Sequence, residues 1–275
     1  IEKSKKFYSP LVRSIAKKNN ISLNELDSIN GTGRSGRVNK SDLMDYLNKR
    51  SSAQISTVNS SQFEDDIEEM GPVRQKIAEH MIQSQQTSAH VYSTVEIDMT
   101  NILLFKTNYS QLYNEKHSIK LTITSLILDC CIKALYQFPI LNASIDGNKI
   151  IHHKNINMGV AVALEDDNLI VPVIKSSEEL NLIGISRSIS DLAYRAREKK
   201  LSIEEVQGST FTLTNPGVFG GLMGMPIINQ PNVGILSIGK IQKKPVVKET
   251  EFGDSVFIRS MMYATLGYDH RLIDG

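Results

Sequence analysis

From Gly71 onward the apolar residues alternate between helical and strand-like spacing. VRQKIAEHMIQSQ puts Ile77, Met81 and Ile82 on one helical stripe. HVYSTVEIDM alternates as a strand does. Helices are predicted near residues 99–116 and through LTITSLILDCCIKALYQF, the second ended by Pro139. Short strands around Asn142–Ser144 and Lys149–His152 suit a hairpin across Asp146-Gly147. NINMGVAVAL and NLIVPVIK read as two buried strands joined by the acidic turn EDDN, and LIGISRSISDLAYRAREKK as a strongly amphipathic helix. TFTLTN, NVGILSIGKI and SMMYATLGYD are three further strand candidates. The body is therefore α/β, with helices covering a mixed sheet and no internal repeat.

The first fifty residues follow a different pattern. SPLVRSIAKKN predicts a short helix entered at Ser9 with Pro10 in its first position, and an apolar face of Leu11, Ile15 and Val12. The loop GTGRSGRV carries three glycines. NKSDLMDYLNKR predicts a second helix, capped by Asn39 or Ser41, with Leu43, Met44 and Leu47 inward. A core of this size is marginal alone.

Charge sharpens these boundaries. Residues 1–50 carry eleven Lys/Arg against five Asp/Glu, residues 51–70 carry five acids and no bases, and the remainder carries 20 of each. SSAQISTVNSSQFEDDIEEM has too little apolar surface to order itself. Residues 48–70 read as a flexible linker, with a random-coil span of roughly 25 Å. The net charge of +1 excludes a global field toward nucleic acid or membrane. No apolar run reaches the roughly 18–20 residues needed to span a bilayer, and no signal peptide is visible. Cys130 and Cys131 are neighbours on a predicted helix, pointing about 100° apart, so a bridge between them is disfavoured. They read as buried thiols of a reducing, cytoplasmic compartment.

Two stretches can carry chemistry. In LGYDHRLIDG a strand-like run ends in Asp269-His270-Arg271, with Asp274 four residues after the histidine. An imidazole on a rigid strand end can take a proton from a thiol or alcohol near neutral pH. Asp274 could orient it or hold Arg271; the alternative is a turn histidine capped by Asp274. In TFTLTNPGVFGG, Thr212 and Thr214 share one strand face, and a hydroxyl there could donate to a developing oxyanion. The alternative is that threonine is simply a good strand residue. GTGRSG lacks the Lys-Ser/Thr ending of a phosphate loop. His80, His90, His117, His152 and His153 have no metal-ligand spacing and read as surface or helix residues; no metal is expected.

DHRLIDG, preceded by FTLTNPGVFG and MPIINQP, resembles the catalytic domain of the E2 acyltransferases of 2-oxo acid dehydrogenase complexes. VRQKIAEHMIQSQQTSAHV and MGVAVALEDDNLIVPVI are similar to its opening segment and central paired strands. SPLVRSIAKKNNISLNELDSINGTGRSGRVNKSDLMDYL resembles the peripheral subunit-binding domain of the same proteins. The resemblance implies a helical subunit-binding domain over 8–47, a linker over 48–70 and a chloramphenicol-acetyltransferase-like catalytic domain over 71–275. It implies His270 as catalytic base, Asp274 as its supporting acid and Thr214 as the oxyanion donor, supported by Arg271 and Asn215. It further implies transfer of an acyl group from lipoyl-lysine to coenzyme A, in a channel between subunits of a trimer within a larger symmetric core. His270 of one chain would then face Thr214 of its neighbour. E1 or E3 would bind the head through Arg13, Arg37 and Lys40, in a salt-sensitive way.

The family pattern places a lipoyl domain before Ile1 and a closing helix after Gly275, so the resemblance reads this sequence as C-terminally truncated. Two other readings are weighed: a non-catalytic E3-binding scaffold, against which His270, Thr214 and Asp274 argue, and a free-standing antibiotic acetyltransferase, against which the head argues. GVFG followed by PIINQP leans toward succinyl among the acyl groups.

Overall fold

The computed structural model describes residues 7–55, 66–165 and 168–274, in two compact units divided between Glu69 and Met70. In the first unit, helix α1 (Pro10–Lys18) is capped by Ser9, whose hydroxyl accepts from the Val12 N–H at 3.3 Å. Tyr8, Val12 and Ala16 recur every four residues and are buried, whereas Leu11 is 56% exposed and Ile15 packs only at the margin. The inward face is thus turned from the one expected, because Tyr8 extends the i, i+4 series backward. Helix α2 (Leu23–Asp27) was not foreseen, although Ser22 with Glu25 three residues on is a start signal; Ser22 accepts from the Glu25 N–H at 3.2 Å.

Helix α3 (Lys40–Ile55) is capped by Asn39, which accepts from the Asp42 N–H at 3.1 Å. Leu43 is fully buried and Leu47 partly so; Tyr46 packs against the core, and Met44 is exposed. The helix runs on past residue 47, into the predicted linker. Residues 48–55 contain no Gly or Pro, and Arg50 pairs with Glu25 at 3.0 Å. Residues 56–65 of that segment lie outside the described residues. The GTGRSGR loop is glycine-rich for steric reasons: a Cβ on Gly31 would stand 2.4 Å from the Arg37 carbonyl carbon. Asp42 closes this loop by accepting from the Thr32 N–H, the Thr32 hydroxyl and the Asn39 N–H.

The second unit opens with helix α4 (Pro72–Thr87), strand β1 (His90–Asp98), and helices α5 (Thr100–His117) and α6 (Ile123–Gln137). Reciprocal hydrogen bonds between Thr122 and Ser125 cap α6. Strands β2 (Ala143–Asp146) and β3 (Lys149–His152) form the expected hairpin, with Gly147 at φ +57°. The two strands expected to be buried each break in two: β4 (Met158–Val160) and β5 (Val162–Ala163), then β6 (Leu169–Ile170) and β7 (Val173–Ile174); β6 is not buried, with Leu169 53% exposed. They pair antiparallel as expected; Asp166 and Asp167 of the turn lie outside the described residues.

After helix α7 (Leu182–Arg197) come β8 (Phe211–Thr214), β9 (Gly234–Ile238), β10 (Gln242–Thr250) and β11 (Gly253–Asp269). The main sheet runs β1-β11-β9-β8-β4-β7, with β10 also on β11; β9 is parallel to β8, and β8 to β4. Strand β10 was missed because QKKPVVKET is charged and contains proline. It pairs only with β11, and such an outer strand tolerates Pro245.

Phe211, Leu213, Ile238, Met262 and Ala264 pack on one sheet face with Leu128, Ile132, Ile185 and Leu192 of the covering helices. Cys131 joins this core, and burial pushes its thiol up to about 12. Cys130, expected to be buried too, is exposed because it lies a helical step away; both thiols are free. Among the described residues no helix is long and apolar enough to cross a membrane.

Candidate active site

The site is built on the end of β11, which lies between β1 and β9. The ladder continues past the strand: the Asp269 N–H donates to the Val233 carbonyl, and the His270 N–H to the Ala89 carbonyl at 2.8 Å. The His270 backbone is therefore fixed from both sides, while its side chain is 47% exposed. Its Nδ1 lies 3.6 Å from Asp274 Oδ1, an ion-pair distance rather than a hydrogen bond, and Asp274 is itself 92% exposed. Asp274 is thus the acid beside the imidazole.

Arg271 is held elsewhere. Its guanidinium donates to both carboxylate oxygens of Asp269, with Nη2 at 2.7 Å from Oδ2. Asp269 is 1% exposed and also accepts from the Ala89 and Arg271 N–H groups. Burial works against its charge, but hydrogen bonds from Arg271 and the Ser88 hydroxyl outweigh it, and the carboxyl sits below its ordinary value. Residue patterning had not singled out this anchor. Because the folded value is depressed, its stabilisation is present above the ordinary carboxylate range and is lost as pH falls through the folded value. Asp269→Asn should therefore lower the melting temperature at pH 7 by about 6–12 °C, from about 3 kcal/mol for breaking such a pair. The gap should narrow below about pH 4. Identical melting curves at pH 7 would mean that the pair anchors nothing.

His90, read from sequence as a surface or helix residue, begins β1 and is half-buried. Its Nε2 accepts from the Ile228 N–H at 3.0 Å, so Nδ1 carries the proton and donates to the Ser88 carbonyl. His153 is likewise half-buried, bonded to Ser144 at 3.1 Å; burial, then the charge of His152, lowers its pKa. For His90 the deciding partner, Ile228, is 138 residues away in the chain, out of reach of sequence spacing. Gln230 bonds Ser84 and Ser88 and completes the support beneath Ala89. Among the described residues no group of three or more His, Cys, Asp or Glu is arranged to hold a metal ion.

Thr212 and Thr214 share the sheet face opposite the helices, but differ in availability. Thr212 is buried and accepts from Asn232 Nδ2 at 2.8 Å, whereas Thr214 is only half-buried. Asn215 ties the following turn to Thr124 at 3.4 Å. Thr214 pairs with Ser237, and Ser237 with Thr265, so His270 lies five residues farther along β11 than Thr214's own row. At about 3.3 Å per residue and 4.8 Å per strand, the two side chains of one chain start roughly 20 Å apart. Within a chain, then, the imidazole and the hydroxyl do not meet.

A family model described as "2-oxoacid dehydrogenases acyltransferase (catalytic domain)" matches residues 62–275. The chain belongs to this acyltransferase family. A second model, "e3 binding domain", matches residues 6–44. The dihydrolipoyllysine-residue succinyltransferase component of the 2-oxoglutarate dehydrogenase complex from Rickettsia felis is 35% identical over 269 residues, 97% of this chain. The chain spans 65% of that relative's length.

Two solved structures have the same fold. The dihydrolipoamide acetyltransferase of Azotobacter vinelandii, studied for the roles of a serine, a histidine and an asparagine in its catalytic mechanism, matches with TM-score 0.72 and 32% identity. The match covers 79% of this chain and 88% of that one. The cubic core of a pyruvate dehydrogenase multienzyme complex matches with TM-score 0.72 and 31% identity, over the same 79% and 88%.

In the first unit, Arg34, Arg37 and Lys40 rim a cavity of about 270 Å³ floored by Val12 and Val38. Exposed Leu11 lines it, and Arg37 stacks on Phe7 at 5.0 Å. Arg13 is exposed on α1 but does not line this cavity. Arg34, which sequence reasoning had not singled out, joins the other two.

Proposed function

We propose that the protein is the acyltransferase core of a 2-oxo acid dehydrogenase complex, moving an acyl group from a lipoyl-lysine arm to coenzyme A. The carrying observation is His270, beside Asp274 at the end of a rigid strand, in a chain of this acyltransferase family. Near pH 7 a free thiol is mostly protonated, and the thiolate is the nucleophile. His270 takes the proton of the CoA thiol as the new C–S bond forms. Thr214 donates a hydrogen bond to the carbonyl oxygen as it gains charge. Protonated His270 then returns the proton to the departing lipoyl sulfur as the old C–S bond breaks. No acyl-enzyme is needed, and orientation supplies much of the rate. The lipoyl group would arrive on another domain, as substrate.

The roughly 20 Å between His270 and Thr214 within one chain supports a site shared by two chains of a homotrimer. So do the apolar residues exposed just after Thr214, among them Val218, Phe219, Met223 and Met225. Trimers would build a larger closed core, as symmetry permits. Residues 8–47 would bind E3, and E1 as well, through Arg13, Arg37 and Lys40. None of these three has an ion pair among the described residues, which leaves their charge for an acidic partner. The stretch from the end of α3 to residue 70 would serve as linker and residues 71–275 as catalytic domain. The free cysteines favour the reducing cytoplasm.

The acyl group we assign is succinyl, the group named for the Rickettsia felis relative. The test is transfer from a panel of acyl-CoA donors to dihydrolipoamide by the full-length protein. Succinyl-CoA should exceed acetyl-CoA in kcat/KM by at least about 10²-fold, because a site that binds a distal carboxylate leaves its polar groups unpaired with acetyl. A preference for acetyl-CoA would overturn the succinyl assignment, and inactivity with every donor would favour the scaffold reading.

A further inference from the structure

Ser237 is a buried hydroxyl that the mechanism above does not use. It is 1% exposed, and its Oγ has no hydrogen-bond partner. Such a group costs folding free energy unless something recovers it, so its surroundings carry information. Strand pairing aligns Thr94 with Thr265, Thr265 with Ser237, and Ser237 with Thr214. Directly paired residues project from the same sheet face, so these four hydroxyls form one row across β1, β11, β9 and β8. At one end, Thr94 and Thr265 satisfy each other at 2.9 Å.

The loop after Thr214 closes over the row. A Cβ on Gly224 would stand 3.0 Å from Ser237 Oγ and 3.2 Å from Pro216 Cγ. A side chain at Gly224 would crowd the serine. Thr265 is already engaged with Thr94 on one side and Gly224 lies above, and on the other side the hydroxyl paired with Ser237 is that of Thr214.

We infer that Ser237 is a positioning residue for the oxyanion donor. Its O–H, unpartnered in the resting structure, turns to donate to Thr214 Oγ1 across the β8–β9 pairing as the substrate carbonyl engages Thr214. A threonine hydroxyl has one proton and two acceptor sites. Accepting from Ser237 turns that one proton away from the sheet and toward the substrate carbonyl. A donor that is itself hydrogen-bonded also donates more strongly. This inference rests on the proposed role of Thr214.

The experiment compares Ser237→Ala, Thr214→Ala and the double variant in the full-length assembled protein, measuring kcat, both KM values and the melting temperature. Ser237→Ala should lower kcat about tenfold, the scale of one hydrogen bond, with both KM values within about twofold of the parent. Its melting temperature should not fall, because the hydroxyl it deletes has no partner in the resting structure. In the Thr214→Ala background the same substitution should change kcat by less than about twofold, since the group it positions is gone. Full activity in Ser237→Ala would overturn the inference. So would an equal loss in both backgrounds, which would mark a general structural effect. A full-rate Thr214→Ala enzyme would instead overturn the oxyanion assignment, and the role of Ser237 with it.

Discussion

His270→Ala is expected to lower acyl transfer at pH 7 by about 10³-fold while leaving assembly and melting temperature unchanged. General-base catalysis by a positioned side chain supplies typically 10²–10⁴-fold, and in the proposed reaction His270 carries the proton in both directions. Stability should be spared because the imidazole is half exposed and the backbone hydrogen bond to Ala89 survives substitution. The loss should also shrink as pH rises. The thiolate fraction of CoA rises with pH, so at pH 9 far more of it attacks without a base than at pH 7, and the variant's deficit narrows. Rates at pH 7 and pH 9 for parent and variant are the measurement. A variant within about threefold of the parent at pH 7 would remove His270 from the chemistry; a parallel deficit at both pH values would give it a role other than taking the thiol proton.

The sequence made the elements legible where burial is one-sided and local. Helix α7 shows its stripe outright, and β8 shows the alternation that separates Phe211 and Leu213 from Thr212 and Thr214. The resemblance carried by DHRLIDG identified the family before any geometry. What stayed hidden depends on contacts between distant segments. Ser237 reads as an ordinary strand serine in NVGILSIGKI, and only the β8–β9 register sets it beside Thr214. Asp269 reads as half of a motif, and only its burial, with Ala89 on one side and Arg271 on the other, marks it as the anchor of the strand end. In α1 the outward turn of Leu11 follows from Tyr8, which precedes the helix and so fell outside the helical pattern. By strand pattern alone Thr212 and Thr214 were equivalent, and only the resemblance chose Thr214; in the structure Asn232 engages the first and leaves the second available.

The second large effect concerns where the site is assembled. His270→Ala and Thr214→Ala chains should each be nearly inactive alone, yet regain activity when unfolded together and refolded as mixed trimers. In a shared site, the histidine of one subunit works with the hydroxyl of the next. A site is whole only where a chain with intact His270 adjoins, in the correct order, one with intact Thr214. Random assembly from equal amounts makes that arrangement about one site in four, so activity should recover to about a quarter of the parent's. Mixing the two variants after each has assembled should recover nothing, which controls for the sum of residual rates. The register argues for this outcome: the row of Thr214 crosses β11 at Thr265, and the strand must run five residues farther before it reaches His270. No rotamer spans that distance. Refolded mixtures no more active than the average of the two variants would mean that the site is completed within a single chain. The roughly 20 Å separation would then have to close by a rearrangement of β8 against β11.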